Sequence, residues 1–166
     1  MLREIQREDL EIILQWRNHP NVRKAMFTDH EITLEEHLAW WNRVKDDNTK
    51  LNLILEYEDK PVGVLNFYDM KDGECVWGFY LDNWTERNRQ SLFKIWDAME
   101  REALDYAFNI SGCKRLLGET FEFNSAVLQM HYRYGFKKHD EYMRMKDGIM
   151  QNVIITELKS EDFYKK

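Results

Sequence analysis

From Leu51 to Leu81 apolar residues recur at every second position in three runs, Leu51–Tyr57, Val62–Tyr68 and Glu74–Leu81. The gaps between the runs, Glu58-Asp59-Lys60-Pro61 and Lys71-Asp72-Gly73, are short and rich in turn formers, so the runs predict three antiparallel strands joined as a meander. A meander must bury at least one face, and the flanking segments have to cover it. Upstream, Met1–Ile5 alternates as a short strand, and a helix opening at Glu8-Asp9 carries Leu10, Ile13, Leu14 and Trp16 at helical spacing until Asn18–Pro20. A loop is expected from Asn21 to His30. Thr33 with Glu36 three residues on then forms a capping box for a second helix, Leu34–Val44, whose stripe of Leu34, His37, Leu38 and Trp41 should face the core, with Trp40 at its edge.

Downstream of the meander, Asn83–Gln90 is polar and irregular, and Ser91–Asn109 reads as a long helix with Leu92, Ile95, Trp96, Met99, Ala103, Tyr106 and Ala107 inward, stopping at Ser111-Gly112. Leu116–Phe123 is a strand. Asn124-Ser125 then caps a short helix in which Asn124, Leu128 and His131 share a face, and Gly135 ends it before a new strand at Phe136. Phe136–Met145 and Gln151–Leu158 form a last hairpin around Asp147-Gly148, and residues from Lys159 onward read as a frayed tail. The order βααβββαβαββ describes an α+β (mixed α/β) fold, one domain over 1–158 with a tail at 159–166.

The bulk properties narrow the function. A chain of 166 residues suits one core, and its net charge of −6 disfavours the broad basic surface that nucleic acid requires. No apolar run approaches the roughly 20 residues of a membrane helix. The opening MLREIQREDL is charged from its third residue, unlike a signal peptide, and Cys75 and Cys113 lack metal-ligand spacing, so a cytoplasmic protein without metal or membrane is expected. A small anionic ligand stays compatible, since it needs only one or two placed arginines and the free N–H groups of a helix start.

The stretch EFNSAVLQMHYRYGF, Glu122–Phe136, resembles the last βα unit of the GNAT acetyltransferases, N-x-x-A/V-x-x-x-(Y)-x-x-x-G-F, and the element order resembles the GNAT order over essentially the whole chain. The resemblance implies a GNAT fold splayed between its fourth and fifth strands, with acetyl-CoA as acetyl donor in the splay. It also implies that the donor's pyrophosphate meets the amides that begin the long helix. Arg87, Asn88, Arg89, Gln90, Ser91 and Leu92 hold that position here, without the glycines of the family's R/Q-x-x-G-x-G/A loop, and Asn124 is a further cofactor contact. The backbone at Tyr80 and Leu81 would hold the thioester carbonyl. Where the family usually has a tyrosine that protonates the departing thiolate, this chain has His131, with Tyr132 and Tyr134 as alternatives. An imidazolium, ordinarily titrating at about 6.5, is a stronger acid than a tyrosine at about 10 but is less populated at neutral pH.

Within that family, WRNHPNVRKAMF (Trp16–Phe27) and DHEITLEEHLAWW (Asp29–Trp41) resemble the PseH group, which N-acetylates the 4-amino group of a UDP-linked 4-amino-4,6-dideoxy-N-acetyl-altrosamine on the route to pseudaminic acid and flagellin glycosylation. Carried over residue by residue, Arg17 would reach the diphosphate side, Met26 and Phe27 would line the sugar-nucleotide pocket, His37 and Trp40 would complete it, and Tyr80 and Glu122 would occupy further pocket positions. Read from residue types alone, Arg17 equally suits a cation at a helix C-terminus, and Met26, Phe27, His37 and Trp40 equally suit packing. The expected reaction is direct attack of a sugar amine on acetyl-CoA. A protein N-terminal acetyltransferase and a GNAT-fold module without catalysis are the alternatives, and a homodimer is compatible with each.

Overall fold

The three hairpins of the structure, a computed structural model describing residues 1–82 and 89–165, each turn on two residues in the left-handed region. Glu58 and Asp59 (φ 51° and 60°) join β2 (Leu51–Tyr57) to β3 (Lys60–Lys71), and Asp72 and Gly73 (55° and 81°) join β3 to β4 (Glu74–Leu81). Asp147 and Gly148 (49° and 77°) join β6 (Lys137–Lys146) to β7 (Ile149–Lys159). Positive φ at both central residues matches the right-handed twist of the flanking strands, which is why two residues suffice. With β1 (Leu2–Glu4) and β5 (Arg115–Phe121), these strands form one seven-stranded sheet in the order β1-β2-β3-β4-β5-β7-β6. Neighbours run antiparallel except β4 and β5, which run parallel. The expected mixed α/β fold and meander are therefore present.

Alternation of side chains divides the sheet into two buried faces. On one, Leu53, Leu55, Leu65, Phe67, Cys75, Trp77, Leu81 and Leu116 pack with Ile95, Met99 and Ala103 of α4 (Arg89–Asp105) and with Val127 and Met130 of α5 (Ser125–Arg133). On the other, Ile54, Val64 and Tyr80 pack with Leu10, Ile13 and Trp16 of α1 (Leu10–Asn18). The buried stripe of α4 contains one charged residue, Glu100, at 0% exposure. Beyond Asp105 the helix widens into a π-turn over Tyr106–Ile110, closed by Ser111 N–H donating to the Tyr106 carbonyl (2.8 Å).

Four local expectations need correction. Inside the expected loop, Pro20–Arg23 forms a helical turn, α2, because Pro20 occupies the first helical position and His19 Nδ1 accepts from Asn21 N–H (3.2 Å). The capping box is as read, with Thr33 Oγ1 accepting from Glu36 N–H (3.2 Å) and Thr33 N–H donating to the Glu36 carboxylate (2.8 Å). The stripe of α3 (Leu34–Val44) is shifted, however: His37 and Val44 are buried with Trp40 and Trp41 beside them, whereas Leu34 (57%) and Leu38 (40%) are exposed. The buried face is centred on His37 and Val44, and Leu38 lies about 100° around the helix from it. The long helix already includes Arg89 and Gln90, ahead of the expected Ser91, and Arg87 and Asn88 lie outside the described residues. The end of the chain is not frayed: α6 (Ser160–Phe163) stacks Phe163 on Phe108 at 5.0 Å, and Tyr164 Oη donates to the Phe108 carbonyl (3.1 Å). Among the described residues no helix is long and apolar enough to cross a membrane.

Where β3 meets β4 there is no room for a side chain at Gly63: a Cβ would lie 2.6 Å from the Tyr80 carbonyl oxygen and 2.7 Å from a Leu81 methyl. Gly63→Ala should lower stability by about 1–3 kcal/mol, the usual range for overpacking. Equilibrium urea unfolding measures this, and an unchanged midpoint would show that the two strands separate locally without penalty.

Candidate active site

The site is made by a parting of strands. Parallel pairing of β4 with β5 runs from Glu74 opposite Arg115 to Trp77 opposite Gly118 and stops there. Beyond it, β4 stays paired with β3 as far as Leu81 opposite Gly63, and β5 stays paired with β7 as far as Phe121 opposite Val153. Each strand follows its outer partner, so a wedge opens between them. Asp82 N–H donates to the Val62 carbonyl (2.8 Å), and the two-residue alternation of an antiparallel ladder gives Tyr80 and Gly78 the same direction. The N–H groups of Phe79 and Leu81 are thereby turned into the wedge. Leu81 was expected in this role, but the Tyr80 N–H faces β3, and Tyr80 contributes its side chain instead.

A cavity of about 870 Å³ passes through the wedge and is lined from both faces of the sheet. Trp77, Phe79, Trp96, Val127 and His131 line it on the α4–α5 side. His131 is buried among Trp77, Phe79 and Phe136, with ring centroids 5.1, 6.3 and 5.2 Å away. Its Nδ1 lies 2.6 Å from Glu100 Oε1, and among the described residues nothing bonds Nε2. The two neighbouring tyrosines do not line the cavity. Tyr132 is exposed, and Tyr134 Oη donates to the Asp97 carboxylate; burial, reinforced by that carboxylate, pushes the phenol up to about 12.

On the α1 side the lining includes Arg17, Met26, Phe27, Tyr68, Gly78, Tyr80 and Glu119. A Cβ at Gly78 would meet nothing within 4 Å, so glycine keeps this wall open. Glu119 accepts from Tyr142 Oη (2.9 Å) and Tyr68 Oη (3.4 Å), which together hold its carboxylate at the cavity. Burial, then Glu119, raises both phenols, so each stays a donor near neutrality. Arg17 is different: its Nη1 is buried without a hydrogen-bond partner among the described residues, and desolvation lowers its pKa. Burial also pushes the Tyr80 phenol up, against the pull of Arg17. Phe27 packs edge-on to Phe121 at 5.2 Å, under the Arg144 guanidinium at 4.2 Å.

A second cavity of about 520 Å³ shares Arg17, Asn66, Tyr68 and Tyr80 with the first and extends along α3 past His37, Trp40 and Arg43. His37 stacks on Trp40 at 5.3 Å and its Nε2 hydrogen-bonds the Leu10 carbonyl (2.8 Å), while burial lowers its pKa. It is a neutral wall with its polar atom already used. Asn124 lines the first cavity, and its side chain makes no cap bond, leaving the amide available to the wedge. Glu122 stands outside both cavities: the chain has left β5 by then, and its exposed carboxylate accepts from Asn152 Nδ2 (3.4 Å). Arg89, Gln90, Ser91 and Leu92 lie in the first described turn of α4. Arg87 and Asn88 lie outside the described residues.

Sequence reasoning missed Glu119, Glu100 and the Phe79 N–H. Glu100 had a readable signal, a charge inside an otherwise apolar helical stripe. Glu119 had a weaker one, an acid at an inward position of a strand.

The donor implied by the family resemblance has fitting surroundings here. The edge amides of Phe79 and Leu81 suit a thin, amide-containing arm, Gly78 leaves the space, and the first turn of α4 is positioned in chain order to meet phosphate. Residues 1–137 match the family model described as Acetyltransferase (GNAT) domain. Two curated proteins called Acetyltransferase PseH, both from Campylobacter jejuni, are 25% and 26% identical over 138 residues, 83% of each chain. A crystal structure of spermidine N-acetyltransferase from Vibrio cholerae, in complex with CoA and spermine, superposes with a TM-score of 0.87 at 15% identity, over 99% of this chain and 97% of that one. The chain therefore belongs to the GNAT acetyltransferases, enzymes that transfer an acetyl group from acetyl-CoA to an amine.

Proposed function

We propose that the amine acceptor is a nucleotide-linked amino sugar and that Arg17 holds its diphosphate. The supporting observation is the Arg17 guanidinium itself, buried at the junction of the two cavities with no carboxylate partner among the described residues. A buried cation left unpaired is unfavourable and becomes favourable once an anion fills the space. Two of the carboxylates lining the cavities are by contrast already engaged, Glu119 by Tyr68 and Tyr142 and Glu36 by His30 and Thr33, and the third, Asp147, lies exposed at the rim beside Lys146 (4.0 Å). A polyamine, the substrate class in the printed name of the Vibrio cholerae relative, would set its charges against Arg17, with only the exposed Asp147 beside Lys146 left to receive them. A sugar nucleotide reverses this balance, and Trp40, Phe27 and Met26 offer apolar walls to a base or a deoxy-sugar methyl. Likeness of the N-terminal half to the PseH group supports the same reading.

Acetyl-CoA, when bound, supplies an acetyl group activated as a thioester. The chain's own residues divide the remaining work between the two faces. On the α1 face Glu119 takes the proton that the attacking amine must lose. The Phe79 and Leu81 N–H groups stabilise charge on the carbonyl oxygen in the wedge. On the α5 face His131 Nε2–H gives a proton to the departing sulfur as the carbon–sulfur bond breaks and the carbon–nitrogen bond forms. Cys75 and Cys113 are buried against each other, 3.2 Å apart and away from the cavity, which favours direct transfer over an acyl-enzyme.

Four measurements test this reading. Arg17→Ala should raise the sugar-nucleotide KM at least about tenfold, since a charge-assisted contact contributes about 1.5–3 kcal/mol, and leave the acetyl-CoA KM near wild type. A panel of UDP- and dTDP-linked amino sugars alongside spermidine, scored by release of CoA thiol, should favour a sugar nucleotide; preferential turnover of spermidine would overturn the substrate class. Glu119→Gln should lower kcat by roughly 10²-fold at neutral pH, and recovery at alkaline pH, where free amine accumulates, is the sign of a lost base. His131→Ala should lower kcat by roughly 10² or more with little change in either KM, and His131→Tyr should restore part of it. An alanine variant that keeps about a third of wild-type kcat would make His131 a packing residue.

A further inference from the structure

We infer that Glu100 is a positioning residue for His131, forming a buried carboxylate–imidazole pair that fixes which ring nitrogen faces the sulfur. The inference rests on the reading of His131 as proton donor and adds a residue that the family motif does not contain. Glu100 is completely buried on α4, among Ile95, Met99 and Ala103, where an aliphatic side chain would fill the same space without electrostatic cost. Its Oε1 lies 2.6 Å from His131 Nδ1, and its Oε2 is buried without a partner among the described residues. The carboxylate is thus committed to the imidazole alone. No other charged side chain competes for the ring among the described residues: β4 presents Trp77 and Phe79 to it and Phe136, the residue before β6, closes over it, while Asp97, one turn earlier on α4, is taken by Tyr134 and Arg101.

The geometry determines the proton's location. A carboxylate accepting at Nδ1 holds a proton there and turns Nε2, the ring's other nitrogen, toward the cavity. Nε2 is the atom left for the cavity, so the pair aims an N–H at the wedge. Without Glu100 the ring loses both its orientation and the charge that balances it. The proton His131 donates comes from Nε2, the Nδ1 proton stays shared with Glu100, and solvent returns a proton to Nε2 after the product leaves. A tyrosine at position 131 carries a single hydroxyl proton and needs no such partner.

The test combines a spectrum with a kinetic cycle. In the free wild-type protein, nitrogen-15 and proton NMR of the ring, assigned by the signals lost in His131→Tyr, should show a proton on Nδ1 shifted downfield by the carboxylate. Finding Nδ1 unprotonated overturns the inference without any variant of Glu100. Glu100→Gln, nearly isosteric, should shift the Nδ1 signal upfield and lower kcat by about 10- to 100-fold while both KM values hold, the lower part of the general-acid range. In the H131Y background the same E100Q change should alter kcat by less than about twofold. A structural Glu100 would instead lower kcat or thermal stability in both backgrounds, and that result also overturns the inference. If H131A keeps its activity, the reading of His131 has failed; if H131A is inactive while E100Q is not, only the role of Glu100 has.

Discussion

Everything in this molecule that can do chemistry depends on hydrogen bonds that β4 and β5 do not make. Four residue pairs hold the strands parallel, and after Trp77–Gly118 each strand remains with its outer neighbour. The ordinary remedy for an unpaired edge within a sheet is a cover or a further strand. Here the edge opens on a cavity, so its N–H groups at Phe79 and Leu81 are available to a ligand. The same parting connects two faces that the sheet otherwise separates, and a reaction between two substrates arriving from opposite sides requires that connection.

The charges around the wedge follow that division. Arg17 and Glu119 lie on the α1 face, and His131 with Glu100 on the α5 face, with the strand edges between them. Each carboxylate has engaged donors, the phenols of Tyr68 and Tyr142 in one case and an imidazole in the other. Arg17 alone among these four has no partner among the described residues. Three groups are therefore held by protein partners, and under the proposed function the fourth, Arg17, is the one a ligand would hold.

Much of the fold was legible because hydrophobic period is a local property. Period two between Leu51 and Leu81, the Thr33–Glu36 box and the Gly135 stop each determine an element without reference to distant residues. What failed depended on neighbours far along the chain. Leu34 and Leu38 read as core because nothing local reveals that α3 packs through His37 and Val44 only. The tail read as frayed because its anchor, Phe108, belongs to the π-turn after α4. His131 was legible through its spacing from Asn124, but its partner Glu100 lies 31 residues earlier on another helix. Glu122 was drawn in by analogy with the family, while the acid that reaches the cavity, Glu119, is three residues earlier, where β5 still alternates.

The histidine at the position where the family usually has a tyrosine is best understood together with the buried acid Glu100 beside it. A lone imidazole between Trp77, Phe79 and Phe136 would sit in an apolar box with no polar partner for its Nδ1. A carboxylate alone in the α4 stripe would be worse placed still, since an unpaired buried charge is among the most destabilising features a core can carry. Each residue is unfavourable without the other, and together they are tolerable because one neutralises the other at 2.6 Å. His131 and Glu100 thus tie α5 to α4, and the apolar rings packed around them shield the pair from water.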